Sequence, residues 1–184
     1  MRKIISLFQR NYDGDRLVRD EVVPGAEWVI AGEGSATEKY DGTCCMVRDG
    51  ALWKRHDVKR GRTAPEGWEQ AQDPDPVTGH WPGWLLVGDG PEDQWHREAF
   101  EYDPRLPDGT YELVGPKVQG NPYGLTRHWI YGHGAPLAVP PSRVDFAWLA
   151  NYLATADVEG IVWHHPDGRM VKIKARDFGL KWPR

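Results

Sequence analysis

The sequence predicts an α+β fold of short antiparallel strands with two helices among them. Three observations carry this. Glycine and proline are abundant, 21 and 15 of 184 residues, which favours many turns and short strands over long helices. Asp49-Gly50, a strong hairpin dipeptide, separates two strand-like runs. Helical spacing is clear in one stretch, at Val144, Trp148, Leu149 and Tyr152. With 184 residues, the chain is expected to form a single domain spanning residues 1–184. Chains near this length hide roughly 70% of the surface they expose when unfolded, enough for a real core.

The elements follow in order. Ile4-Ile5-Ser6-Leu7-Phe8 reads as a strand, and Asn11 to Asp15 as a polar turn. Thr43 to Arg48 and Ala51 to His56 are the two arms of the hairpin. Residues 63–84, rich in Pro, Gly, Asp and Trp, read as a long surface loop. Pro91 to Tyr102 predicts a short helix, with acids in its first turn that suit the helix dipole. Thr110 to Val114 is a strand, Gly120 to Gly124 a loop, and Arg127 to Tyr131 a further strand. Ser142 is the expected N-cap of a second helix, with Asp145 three residues on, running to about Thr155. A closing strand, a turn at Pro166-Asp167-Gly168 and a last strand complete the chain.

Composition excludes several classes. No run approaches the twenty or so apolar residues of a membrane span, and the N-terminus lacks a signal-peptide pattern. Cys44 and Cys45 are adjacent, so they suggest neither a disulfide framework nor a metal site. The histidines are not at metal-ligand spacing. The expectation is a reduced, cytoplasmic protein. Ten tryptophans are expected mainly in packing, with one or two as base-stacking plates. The net charge of −4 argues against a surface that grips nucleic acid throughout, but the charge is unevenly spread. Residues 39–62 hold seven Lys/Arg against three Asp/Glu, residues 66–112 two against twelve, and residues 169–184 six against one. Two basic blocks of this kind draw a polyphosphate or a nucleic-acid strand to a positive face.

The two basic blocks are the ones that carry the lysine motifs of an ordered set of four. Lys39-Tyr40-Asp41-Gly42 is a Lys-x-Asp-Gly tetrapeptide, Tyr111-Glu112-Leu113-Val114-Gly115 follows in mid-chain, then Glu159-Gly160-Ile161-Val162, then Lys172-Ile173-Lys174. A strand places Lys172 and Lys174 on one face, and paired ammonium groups suit a phosphate whose charge grows during transfer. Alternation sets Glu112 opposite Leu113, and lets only one of Lys54 and Arg55 face a given side. Trp129 and Tyr131, two apart, share a side.

This ordered set resembles the covalent nucleotidyltransferases, the polynucleotide ligases and capping enzymes that carry a nucleotide on a lysine. Glu38 to Thr43, Trp53-Lys54-Arg55 and Glu112 to Lys117 look most like the small ATP-dependent RNA ligases, and the resemblance spans roughly residues 33–182. It implies a nucleotidyltransferase fold of antiparallel sheets and a few helices around an ATP cleft. Lys39 is then the nucleophile on the α-phosphorus of ATP, followed by Asp41 and Gly42, with Lys172 and Lys174 on the phosphates. Glu159 holds Mg2+ or Mn2+, and Glu112 contacts the nucleotide sugar or organises metal and water. Glu38 faces the adenine amino group, and Trp129 or Tyr131 stacks on the base. Arg55, or failing it Lys54, meets ribose or the acceptor's 5′-phosphate. The implied substrate is RNA with 5′-phosphate and 3′-hydroxyl ends, joined through lysyl-AMP and AMP-capped RNA.

Related DNA ligases and capping enzymes carry a further oligonucleotide-binding-fold domain. With about ten residues after Lys174, none is expected here, which favours the RNA-ligase branch and leaves room for an accessory protein that supplies RNA-binding surface. The alternatives are a self-adenylating, capping-type or DNA-ligase-like enzyme that needs a partner, and a non-catalytic module that binds single-stranded nucleic acid.

Overall fold

The computed structural model describes residues 4–76, 78–137 and 144–183. In chain order its elements are β1 (Ile5–Ser6), β2 (Phe8–Arg10), β3 (Val18–Val22), α1 (Glu27–Ile30), β4 (Ser35–Lys39), β5 (Thr43–Arg48), β6 (Ala51–Val58), β7 (Glu69–Gln70), β8 (Trp81–Leu86), α2 (Gln94–Tyr102), β9 (Gly109–Val114), β10 (Trp129–Gly132), α3 (Phe146–Thr155), β11 (Gly160–His164) and β12 (Met170–Lys174). Short 3-10 turns precede α2 and follow β12. The content is mixed α+β with mostly antiparallel pairing, as the sequence predicts.

The chain divides into two compact units. One is Asp41–Gly132, the other Ile4–Tyr40 with the residues after Gly132. The first holds a six-stranded antiparallel sheet ordered β10-β9-β5-β6-β8-β7. Cys45, Val47, Leu52, Tyr111 and Leu113 fill the core on one of its faces, together with Ala99 and Phe100 of α2. The expected hairpin is present: Asp49 (φ 53°) and Gly50 (φ 72°) both take the left-handed conformation that a two-residue hairpin turn requires.

The second unit holds a four-stranded sheet ordered β1-β12-β11-β4 and the β2-β3 pair. Along β12 the apolar Val171 and Ile173 are fully buried, while Lys172 and Lys174 alternate with them and are half-buried. Leu149 and Leu153 of α3 are fully buried. Phe8, Phe146 and Phe178 meet edge-on at 5.1–6.4 Å.

Four expectations need correction. Residues 63–84 are not one loop, because β7 lies inside the stretch and β8 begins there, pairing with β6 from Trp81 opposite Val58. Pro and Gly signal turns, yet Pro82 sits in β8 and its carbonyl accepts from the Ala71 amide. The N-terminal strand is two, broken at the fully buried Leu7: β1 runs parallel to β12 and β2 pairs with β3. The strand expected from Arg127 begins at Trp129. The N-cap of α3 is Asp145, whose side chain accepts from the Trp148 amide at 2.8 Å. Ser142 lies outside the described residues.

Candidate active site

In the four-stranded unit, register aligns three of the four motifs. Lys39 on β4, Gly160 on β11 and Lys174 on β12 are direct neighbours across the sheet. Thr37, Val162 and Lys172 form the next row on the same face. Gly160 has a steric reason: a Cβ there would lie 2.2 Å from the Ile173 carbonyl oxygen. Glu159 precedes it, only 3% exposed, and its carbonyl accepts from the Ala175 amide. Its carboxylate is the hub of the face. Lys39 Nζ donates to Glu159 Oε2 at 2.5 Å, and Lys174 Nζ stands 3.8 Å from Oε1. Lys172 has no hydrogen bond or close ion pair of its ammonium among the described residues. Burial, and then the charges of Lys39 and Lys174, push its pKa down to about 8.

Glu38 is not brought together with this group. Its side chain takes the opposite face of β4, in register with the buried Ile161. Burial, then the nearby Asp157 carboxylate, raises its pKa.

The Asp41-Gly42 half of the tetrapeptide belongs to the six-stranded unit. Gly42 donates its amide to Glu112 Oε1 at 3.1 Å, and a Cβ on Gly42 would lie 2.2 Å from the Leu113 carbonyl oxygen. Glycine is therefore required by close approach. The Asp41 amide donates to Tyr123 Oη at 2.7 Å, and Gln119 Nε2 donates to the Gly42 carbonyl at 3.2 Å. Tyr123 and Gln119 went unnoticed in the sequence, where Gly120 to Gly124 signals only a loop.

Register also separates two pairs left open above. Cys44, Glu112 and Tyr131 are neighbours across β5, β9 and β10. Lys54 pairs with Cys45 on the core face, so Arg55 takes the face of Cys44 and Glu112. Arg55 packs over the Trp84 ring at 5.4 Å and donates to Asp57 at 2.7 Å. Lys54 is committed elsewhere, 2.6 Å from the buried Asp93. Burial would raise the Asp93 carboxyl, but hydrogen bonds from Lys54 and the Gly88 amide outweigh it and hold the pKa low. Trp129 opposes Val114, and its ring carries the Arg127 guanidinium at 4.0 Å and meets Tyr102 at 5.6 Å. Tyr131 opposes Glu112 directly.

A family model described as RNA ligase 1 matches residues 103–184. That match takes in Glu112, Trp129, Tyr131, Glu159, Lys172 and Lys174. Proteins named RNA ligase 1 from Danio rerio and Mus musculus are each 29% identical over 222 aligned positions, covering 81% and 80% of this chain and 68% of each relative. The protein of that name from Pongo abelii is 28% identical over 220 positions, again covering 80% of this chain and 68% of the relative. Over most of its length the chain is thus similar to proteins named RNA ligase 1. Among the described residues no helix is long and apolar enough to cross a membrane.

Proposed function

We propose that the protein is an ATP-dependent RNA ligase that joins 5′-phosphate and 3′-hydroxyl ends through lysyl-AMP and AMP-capped RNA. One observation carries the reading: the ammonium groups of Lys39 and Lys174 both meet the carboxylate of Glu159 on one sheet face, and Lys172 lies on that face with no close ion pair of its own among the described residues. A half-buried surplus of positive charge is costly without an anion, and a phosphate chain is the anion that ligase chemistry provides.

In the first step Lys39 Nζ attacks the α-phosphorus of ATP. A P–N bond forms, the P–O bond to pyrophosphate breaks, and the amine loses a proton, for which Glu159 Oε2 is the base within reach. Lys172 and Lys174 neutralise the oxygens on which charge builds. The AMP then passes to the RNA 5′-phosphate with release of Lys39. Attack by the 3′-hydroxyl on the capped end forms the phosphodiester and expels AMP. Carboxylates bind hard cations, so Glu159 of one unit and Glu112 of the other are each proposed as ligands of Mg2+ or Mn2+, which would supply further neutralisation of phosphate charge. Tyr131, beside Glu112, is the proposed adenine plate. Glu38 is the acceptor proposed for the adenine amino group, and Arg55 meets the ribose or the RNA 5′-phosphate.

The test is to incubate purified protein with α-phosphate-labelled ATP and magnesium, then add 5′-phosphorylated RNA. Label should enter the protein as an acid-labile, base-stable adduct and chase into capped and then sealed RNA. Labelled protein that never passes AMP to RNA would leave only a self-adenylating nucleotidyltransferase.

A further inference from the structure

The N-terminal segment carries no recognisable motif, yet it is built onto the lysine strand. β1 pairs with β12, Ser6 opposite Lys172, and the Leu7 amide donates to the Lys172 carbonyl at 2.8 Å. Three residues further on, Arg10 reaches Asp177, 167 positions away in sequence. Asp177 lies in the 3-10 turn directly after β12 and is 2% exposed. Its Oδ1 accepts from Arg10 Nη2, and its Oδ2 accepts from the backbone amide of Lys174 at 2.9 Å. The carboxylate thus caps the strand end that carries Lys174, at the point where the Ala175 amide holds the Glu159 carbonyl. It is also the second negative charge felt by Lys172, after Glu159.

A buried carboxylate in such a position has two ways to act. Unpaired, it would attract the lysine ammonium groups away from a phosphate. Paired with Arg10, it fixes the backbone of Lys174 while its charge is met from the other side. We propose that Arg10 and Asp177 are a positioning pair for the phosphate-binding lysines, setting where Lys174 stands relative to Glu159 and keeping Lys172 and Lys174 available to the triphosphate. The proposal rests on the nucleotidyl-transfer reading for its catalytic consequence, but not for its phosphate-binding one. Neither residue touches the reacting atoms; both act through the lysines.

The experiment is a double-mutant cycle of Arg10→Gln, Asp177→Asn and both together, with Arg10→Lys as the conservative variant. Each protein is measured for melting temperature, for affinity toward pyrophosphate by calorimetry, and for the single-turnover rate of AMP labelling at saturating ATP. All measurements stay well below the lowest melting temperature. Each single variant should label about tenfold more slowly and bind pyrophosphate more weakly, and the double variant should be little worse than the poorer single one, because both substitutions remove the same interaction. Arg10→Lys should recover most of the loss. Lower melting temperatures with unchanged labelling rate and pyrophosphate affinity would overturn the proposal, and so would additive losses. If the wild-type protein takes no label from ATP, the nucleotidyl-transfer reading fails instead. Pyrophosphate affinity then decides the pair alone, and equal affinities in wild type and variants would refute it.

Discussion

Lys39 donates to Glu159 Oε2 across 2.5 Å, although 120 residues separate the two in sequence, and Lys174 approaches the other oxygen of the same carboxylate. Lys39, the proposed nucleophile, is thus held in a charged hydrogen bond. Register places it there: β11 lies between β4 and β12, so Gly160 separates the two lysines by one strand on each side.

Lys39→Ala should abolish AMP labelling. Lys39→Arg should do the same while keeping the ion pair and the melting temperature, since a guanidinium retains the charge but is not a nucleophile. Glu159→Gln should leave a folded protein that labels at least a hundredfold more slowly, the order of loss expected when a proton acceptor is removed. Mass spectrometry of the ATP-treated proteins checks all three. Full adenylation of Lys39→Ala would remove the central assignment.

Lys172 gives a prediction about pH. Its folded pKa of about 8 lies below its ordinary value of 10.5. Between those values the unfolded chain binds more protons, so this residue makes stability rise with pH across that window. Below about 8 the buried ammonium is a standing cost, of order 1–3 kcal/mol. Lys172→Met should therefore raise the melting temperature at pH 7 by a few degrees, with the advantage fading as pH climbs from about 8 to 10.5. The same variant should lose ATP labelling, because the charge it removes is one proposed to meet phosphate. Thermal melts at pH 7 and pH 10 measure the first effect. A variant less stable than wild type at pH 7 would show that Lys172 packs rather than repels.

Much of this was legible because it is periodic or local. Alternation along β12 predicted two lysines on one face, Asp49-Gly50 predicted a hairpin, and the motif order predicted Lys39, Glu159, Lys172 and Lys174 as a group. What stayed hidden depends on tertiary pairing. Arg10 and Asp177 are 167 residues apart, and Tyr123 and Asp41 are 82 apart, so no spacing rule connects them. β8 was masked by Pro82 and Gly83, which signal turns, although Gly83 is needed because a Cβ there would meet the Trp68 ring. The choice between Lys54 and Arg55 required knowing that Lys54 pairs with Cys45, a buried residue.

That choice can be tested by separating stability from RNA chemistry. Lys54→Ala leaves the buried Asp93 with the Gly88 amide but without its counter-charge, so it should lower stability by about 3 kcal/mol, the usual cost of breaking a buried pair from one side. Its labelling by ATP, per folded molecule, should change little. Arg55→Ala should keep the fold and slow the steps that involve RNA, seen as slower sealing of pre-adenylated RNA. Chemical denaturation and sealing assays on both variants separate the two effects. A normal sealing rate in Arg55→Ala would remove its assigned role.

The two aromatics of β10 differ in the same way. Tyr131 stands directly opposite Glu112, with its backbone position fixed by the β9-β10 ladder. Trp129 already carries Arg127 on its ring and meets Tyr102, an arrangement that anchors the end of α2 to β10. If Tyr131 is the adenine plate, Tyr131→Ala should raise the ATP concentration needed for labelling by roughly tenfold or more, since stacking of a base on an aromatic ring is worth about 1–3 kcal/mol. Tyr131→Trp should retain use of ATP, because the plate is kept and only the hydroxyl is lost. Trp129→Ala should instead lower the melting temperature and leave the ATP dependence close to wild type, because the contacts it removes are internal. Labelling titrations with ATP across these three variants decide between the residues, and a larger loss of ATP affinity in Trp129→Ala than in Tyr131→Ala would reverse the assignment.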